Sequence, residues 1–217
     1  AQIKVAQAGE VFPLSEPQMG VLMATEMARD TEWAYGFYAV FECDEMLDEQ
    51  MLRHRYTSLL NAHAALTVQV IDTPEGPKQR TRSSAALIAN GFRFHTTSGW
   101  ASREDLVRRF GRVEFDVRND PLFAWDLVVA EDGRSALVHS EHHLVHDGRS
   151  FERLLEELQV LEDGGVPEQE SRSLRHTQDA RATARDSGPS PVPTTERWEG
   201  FATGYQLVGR RPPATGQ

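Results

Sequence analysis

Residues 135–148 read SALVHSEHHLVHDG, in which the short apolar stretch Ala136-Leu137-Val138 leads into a histidine-rich cluster ending in Asp147 and Gly148. The apolar stretch predicts a strand, and SFERLLEEL from Ser150 predicts a helix. Rigid scaffolds present reactive side chains on loops at strand ends. Histidine, whose ordinary pKa lies near neutrality, suits proton transfer to or from a nucleophile. The sequence therefore predicts a functional site where this strand meets this helix.

Strand and helix patterns alternate on the N-terminal side of the cluster. The Asp132-Gly133 pair predicts a hairpin turn into the strand, and the Gly164-Gly165 pair predicts the end of the helix that Ser150 would cap. Periodicity predicts helices over 15–29, 44–66 and 102–111, and strands over 34–43 and on both sides of 74–77. The fold class is α/β, with a mixed or largely antiparallel sheet flanked by helices.

The last fifty residues differ from the rest in composition. Residues 166–195 are polar and rich in Ser, Arg and Pro, which predicts a surface excursion that is partly disordered. Trp198, Phe201 and Tyr205 share one face of a possible closing helix. The tail 209–217 carries no structural signal. We expect residues 1–217 to form a single lobe around one core.

Composition and charge narrow the function classes. The 217 residues are 39% hydrophobic, and no apolar run has the length of a membrane span. The formal net charge of −10 argues against bulk affinity for nucleic acid or anionic membrane. Arg108, Arg109 and Arg112 could form a local basic patch, although a solvated helix face is the simpler reading. Cys43 is the only cysteine, which excludes an internal disulfide and fits a cytoplasmic location.

The pattern H-H-x-x-x-D-G at residues 142–148 resembles the signature of nonribosomal peptide synthetase condensation domains and of their chloramphenicol acetyltransferase-like relatives. Further segments resemble the same family in the same order. They are FPLSEPQ at 12–18, LLNAHAAL at 59–66, Phe115-Asp116-Val117 and Pro121-Leu122. Together these matches cover about residues 12–160. The resemblance implies one lobe of the acetyltransferase-type fold.

The resemblance also implies a chemistry. An amine would attack an acyl or aminoacyl thioester, carried on the phosphopantetheine arm of a carrier protein, to form an amide. His143 would be the active-site histidine and His142 a supporting residue. Asp147 would hold the loop, and Gly148 would give a close turn whose backbone amide can face the oxyanion. No metal, nucleotide or directly bound cofactor is implied.

Two departures from the family bear on activity. The arginine that usually pairs with the aspartate of the signature corresponds here to Thr67, so Asp147 needs another partner. Condensation domains consist of two similar lobes and are roughly twice as long as this chain. We therefore expect an N-terminal lobe that is catalytically incomplete until a second lobe is supplied in cis or in trans.

Three alternatives remain open at this stage. The chain could be a freestanding O- or N-acyltransferase, including a trimer whose neighbouring subunit completes the site. It could instead be a non-catalytic lobe that docks carrier proteins. A metal site at His139, His142, His143, His146 and Asp147 is disfavoured because alternate strand residues point to opposite faces. His54, His63, His95 and His176 are expected at the surface or at helix ends.

Overall fold

Two sheets and five helices make up the computed structural model, which describes residues 8–27, 35–145, 148–162, 164–165 and 205–207. The polar excursion 166–195, Trp198 and the tail 209–217 lie outside the described residues. So do His146 and Asp147 of the signature. Within the described part of the chain, no helix has the length and apolar character needed to cross a bilayer.

The helices largely follow the periodicity of the sequence. They are α1 Glu16–Met27, α2 Glu49–Ala62, α3 Ser84–Gly91, α4 Arg103–Phe110 and α5 Gly148–Glu162, with a 3-10 turn at Ala64–Thr67. The side chains of Asp48, Ser83 and Ser102 cap α2, α3 and α4 by accepting hydrogen bonds from backbone amides of the first turn. Ser150 does not cap α5, because that helix already begins at Gly148.

The larger sheet has the order β5-β6-β7-β2-β8 and is mixed. Its strands are β2 Gly36–Cys43, β5 Phe92–Thr97, β6 Phe123–Ala130, β7 Ser135–His142 and β8 Tyr205–Leu207. Among the described strands, only β5 and β6 pair in parallel, with α4 in the connection between them. Tyr205 lies in a strand beside β2, so it does not belong to a closing helix.

The smaller sheet contains β1 Val11–Pro13, β3 Val68–Thr73 and β4 Gly76–Thr81, in the order β1-β4-β3 and antiparallel throughout. The turn between β3 and β4 uses Gly76 at φ 112°, a conformation that favours glycine. Mixed and antiparallel sheets flanked by helices confirm the α/β fold class.

Strand β7 lies in the middle of the larger sheet, and all eight of its residues are buried. One face of the sheet packs on α2 and α5 through a cluster that includes Tyr56, Trp125 and Leu154. The opposite face packs on α4 through Leu106 and Val107. Because both faces are covered, polar residues of the strand such as His139, Ser140 and Glu141 are buried as well. Its C-terminal end carries the histidine pair on a firmly held element.

Candidate active site

The histidine pair lies where β7 ends, and hydrogen bonds hold its backbone on both sides. The His142 amide donates to the Leu122 carbonyl at 2.9 Å, and the His143 amide donates to the Tyr35 carbonyl at 2.8 Å. Residues 143–145 then form a turn in which the Val145 amide donates to the His142 carbonyl at 3.0 Å. Extension of the β7 ladder into the loop thus fixes the path of the chain at residues 142–145.

His142 is an internal, neutral histidine. His142 is 2% exposed, and its Nδ1 accepts a hydrogen bond from the Leu144 amide at 3.2 Å. The proton of the neutral ring therefore resides on Nε2, which lies 3.5 Å from the Thr25 hydroxyl of α1. Burial, with a smaller contribution from the charge of His143, lowers the pKa of His142 to about 4. His142 supports the turn and does not exchange protons near neutrality.

His143, in contrast, is exposed to solvent at the tip of this turn. The two adjacent histidines consequently have different environments, one inside the loop and one outside it. A histidine that reaches solvent and whose main chain is fixed can meet a substrate in a defined position. Of the two predicted histidines, the structure presents only His143 to a ligand.

Several segments that resemble the family converge on this turn. Gln18 of α1 donates from Nε2 to the Leu144 carbonyl at 3.0 Å. The ring of Phe115 lies 5.4 Å from the His142 ring. The Leu122 carbonyl accepts the hydrogen bond from the His142 amide, and the Leu122 side chain packs in an apolar cluster with Leu144 and Val145. Sequence alone did not show that these separate segments surround one loop.

Gly148 is the first residue of α5, whose amino end thus follows the turn after a gap of two residues. The predicted close turn at Gly148 is therefore the start of a helix. Asp147 lies outside the described residues. Thr67, in the place of the family's arginine, is buried and its hydroxyl donates to the Ala64 carbonyl at 2.7 Å.

His63 is a buried contact between helices that sequence reasoning missed. It is the C-cap residue of α2, as expected for a histidine at a helix end. Its Nε2 also contacts the Glu157 carboxylate of α5, to which Arg153 donates at 3.0 Å. The surviving histidine of segment 59–66 therefore ties α2 to the helix that follows the signature.

A second buried polar group lies beneath the turn, on the face of β7 opposite His142. His139 accepts a hydrogen bond at Nδ1 from the Trp125 indole at 2.9 Å, and its Nε2 lies 3.1 Å from the Glu141 carboxylate. Within the described ranges, no group of three potential ligand residues could hold a metal ion. Two of the five residues considered for a metal site, His146 and Asp147, lie outside the described residues.

The other candidate residues serve the scaffold. His54 is exposed on α2, and His95 contacts the buried Asp126 carboxylate at 2.8 Å. Arg109 pairs with Asp105 within α4, and Arg112 pairs with Asp120. These ion pairs favour the structural interpretation of the arginines over a basic patch.

Comparison with known proteins places this geometry in a family. A sequence profile described as Condensation domain matches residues 8–178. This chain belongs to the condensation domain family. The match covers both sheets up to β7, the signature turn and α5. It agrees with the resemblance seen in the sequence.

Relatives of this condensation domain chain include large synthetases. It is 29% identical over 168 residues to surfactin synthase subunit 1 of Bacillus subtilis (strain 168), covering 76% of this chain and 4% of that protein. It is 30% identical over 161 residues to one of the plipastatin synthase proteins of the same strain, covering 74% of this chain and 6% of that protein. The chain therefore corresponds to a small part of each relative.

Solved structures agree in fold. The starter condensation domain of rhizomide synthetase RzmA superposes with a TM-score of 0.63 at 16% identity, covering 81% of this chain and 44% of that one. The first condensation domain of the calcium-dependent antibiotic synthetase, in complex with a substrate analogue, superposes with a TM-score of 0.59 at 21% identity. That match covers 82% of this chain and 46% of the other. The chain thus spans less than half of these solved domains.

The low pKa of His142 predicts a pH-dependent stability. In the unfolded chain this ring titrates near 6.5, whereas in the folded chain it titrates at about 4. Between these values the unfolded state binds the extra proton, so stability is complete above pH 6.5 and is lost as pH falls toward 4. A shift of this size corresponds to about 3 kcal/mol of unfolding free energy over that window.

Denaturant titrations of wild type and His142→Asn at several pH values measure this contribution. The asparagine oxygen can still accept a hydrogen bond from the Leu144 amide, but the asparagine side chain does not titrate. We therefore expect the free energy of unfolding of the variant to depend less on pH. His54→Asn, an exposed control on α2, should retain the wild-type slope. Equal slopes for wild type and His142→Asn would contradict the assignment.

Proposed function

We propose that this chain forms amides between carrier-tethered acyl or aminoacyl thioesters and acceptor amines in nonribosomal peptide biosynthesis, with His143 at the reacting centre. The amine nitrogen attacks the thioester carbonyl, a C–N bond forms, the C–S bond breaks, and the thiol of the phosphopantetheine arm leaves. The proton lost by the amine passes to His143, which then returns it to the leaving thiolate.

The observation that carries this proposal is the difference between the two histidines. Both ring nitrogens of His142 face internal partners, and its low pKa keeps it neutral. His143 lies next to it on the same fixed backbone but is exposed. This difference supports His143, and not His142, as the residue that contacts an incoming amine. General acid–base catalysis needs such a positioned group within hydrogen-bond reach of the substrate.

The remaining roles are carried over from the family. Asp147 would hold the loop, and the backbone amide of Gly148, at the start of α5, would face the oxyanion, since helix amino ends carry unpaired N–H groups. Carrier proteins would be the partners and their phosphopantetheine arms would deliver the substrates, with no further cofactor. A second lobe, in cis or in trans, would form the other wall. The expected location is the cytoplasm.

A non-catalytic docking lobe is the second candidate function. The observation that favours it is the presence of Thr67 in place of the family's arginine. The Thr67 hydroxyl donates to the Ala64 carbonyl and offers no positive charge to Asp147. A lobe of this kind would bind carrier proteins whether or not His143 is present. Freestanding acyl transfer to a hydroxyl is a third candidate, which differs only in the acceptor.

The test is amide formation from a carrier-bound acyl thioester, measured by mass spectrometry of the carrier-bound product. This chain is compared with a version extended through the codons that follow it to full condensation-domain length. Amide formed by the extended version, with little or none from the short one, supports an incomplete catalytic lobe. Carrier binding without amide formation by either version supports the docking lobe. An ester formed from a hydroxyl acceptor would assign the third candidate.

A further inference from the structure

We infer that Gln18 is a positioning residue for the His143 turn. The inference rests on the proposed function, because it concerns how the reacting histidine is held. Gln18 lies in the first turn of α1, 126 positions before the residue it binds, Leu144. It is half-buried. Its side chain connects α1, strand β4 and the signature turn.

The orientation of the Gln18 amide is determined by its other partners. Its Oε1 accepts from the Ser15 backbone amide at 2.9 Å and from Gln79 Nε2 at 3.1 Å. Its own Nε2 lies 3.2 Å from Gln79 Oε1. The Ser15 hydroxyl completes a capping box by accepting from the Gln18 backbone amide at 3.3 Å. With the oxygen engaged in this way, the NH₂ group faces the Leu144 carbonyl.

Leu144 is consequently held at both of its backbone polar groups. Its N–H donates to His142 Nδ1 at 3.2 Å, and its C=O accepts from Gln18 Nε2 at 3.0 Å. Leu144 directly follows His143, whose own amide is bound to Tyr35. The peptide groups on both sides of His143 therefore have fixed orientations, which in turn fix the direction in which its side chain leaves the chain.

The contacts at the start of α1 use the acceptor of the Gln18 side chain, because the Ser15 backbone amide and Gln79 Nε2 both donate to Oε1. A side chain with an acceptor alone would keep these two bonds. Beyond its contact with Gln79 Oε1, the Nε2 donor of Gln18 adds a directed bond to the turn that presents His143.

The decisive variant is Gln18→Glu, which keeps the shape and the acceptor toward Ser15. It replaces the donor with a carboxylate oxygen that repels the Leu144 carbonyl. We expect kcat for amide formation in the catalytically competent form to fall about tenfold or more, since small misplacements of a catalytic group are costly. KM should stay within about twofold. Amide hydrogen exchange at Leu144 and Val145 should accelerate about tenfold, the equivalent of one lost hydrogen bond.

Gln69→Glu supplies a matched control. Gln69 also donates from Nε2 to a backbone carbonyl, that of Arg118, but it lies on β3. Gln69→Glu should remove that donor while kcat and amide hydrogen exchange at Leu144 stay as in wild type. In both variants, exchange at Val138 in the core of β7 should remain slow.

The outcomes separate the two proposals. Wild-type kcat and wild-type exchange at Leu144 in Gln18→Glu would overturn the positioning role, and so would a fall in kcat equal to that of Gln69→Glu. If His143→Ala retains full activity, the proposed function fails. Amide hydrogen exchange at Leu144, measured in the unextended chain, still decides whether Gln18 holds the turn, because that measurement needs no turnover.

Discussion

Replacing His143 with alanine should lower kcat for amide formation by about 100-fold or more, which is the usual contribution of a positioned general acid–base group. His143 is exposed, whereas its neighbour His142 is buried and has a pKa of about 4. The measurement is single-turnover transfer from a carrier-bound thioester, with the variant made in the extended chain.

His54→Ala is the matched control, because His54 is also an exposed histidine but lies on α2. It should retain wild-type turnover. Circular dichroism and thermal unfolding should show that His143→Ala folds as wild type does, since the side chain contributes little buried surface. Turnover within about threefold of wild type in His143→Ala would be too small a loss for general acid–base catalysis and would contradict the assignment of His143 as the reacting residue.

Trp125→Ala should produce the largest loss of stability, about 4–5 kcal/mol of unfolding free energy, at the upper end of the range for aromatic-to-alanine changes in a core. The Trp125 residue is 1% exposed and its ring lies 5.5 Å from the Tyr56 ring and 5.9 Å from the Phe123 ring. The change opens a cavity under β6. It also removes the indole donor to His139 Nδ1. Urea unfolding followed by circular dichroism measures the loss.

Trp125→Phe separates packing from hydrogen bonding at this position. Phenylalanine keeps an aromatic ring in the core but cannot donate to His139, and leaving a buried acceptor unsatisfied costs about 1–3 kcal/mol. We expect an intermediate stability. If the phenylalanine variant is as unstable as the alanine variant, the cavity is not the main cause. If it is as stable as wild type, the His139 bond contributes nothing measurable.

The sequence predicted the central part of this fold because the signals there are local. Asp132-Gly133 and the apolar runs around it predicted the β6–β7 hairpin, which the structure confirms. Strand β5 was not predicted, because it is short and its parallel partner β6 follows only after α4. Pairings that depend on distant segments leave no periodic pattern in either segment.

The candidate site was predictable in position but not in its supports. The signature located His142 and His143 at a strand end, and the structure places both there. The bond from Gln18 to Leu144 and the contact of His63 with Glu157 were not predicted. Each joins residues from different elements through side chains, and a single sequence does not show which distant polar residues meet. The roles of Asp147 and Gly148 remain predictions from the family.

The hydrogen-bonded turn at residues 142–145 has a consequence for the timing of the reaction. Conformational entropy is lost whenever a flexible loop becomes ordered, at roughly 1–2 kcal/mol for each residue whose backbone is fixed. Here the amides of His142, His143, Leu144 and Val145 all have partners before any substrate arrives. The entropic cost of ordering these residues is therefore part of the folding free energy and does not oppose substrate binding. These four residues therefore need no ordering step when a substrate binds, and under the proposed function turnover should depend on how fast the acyl groups are delivered.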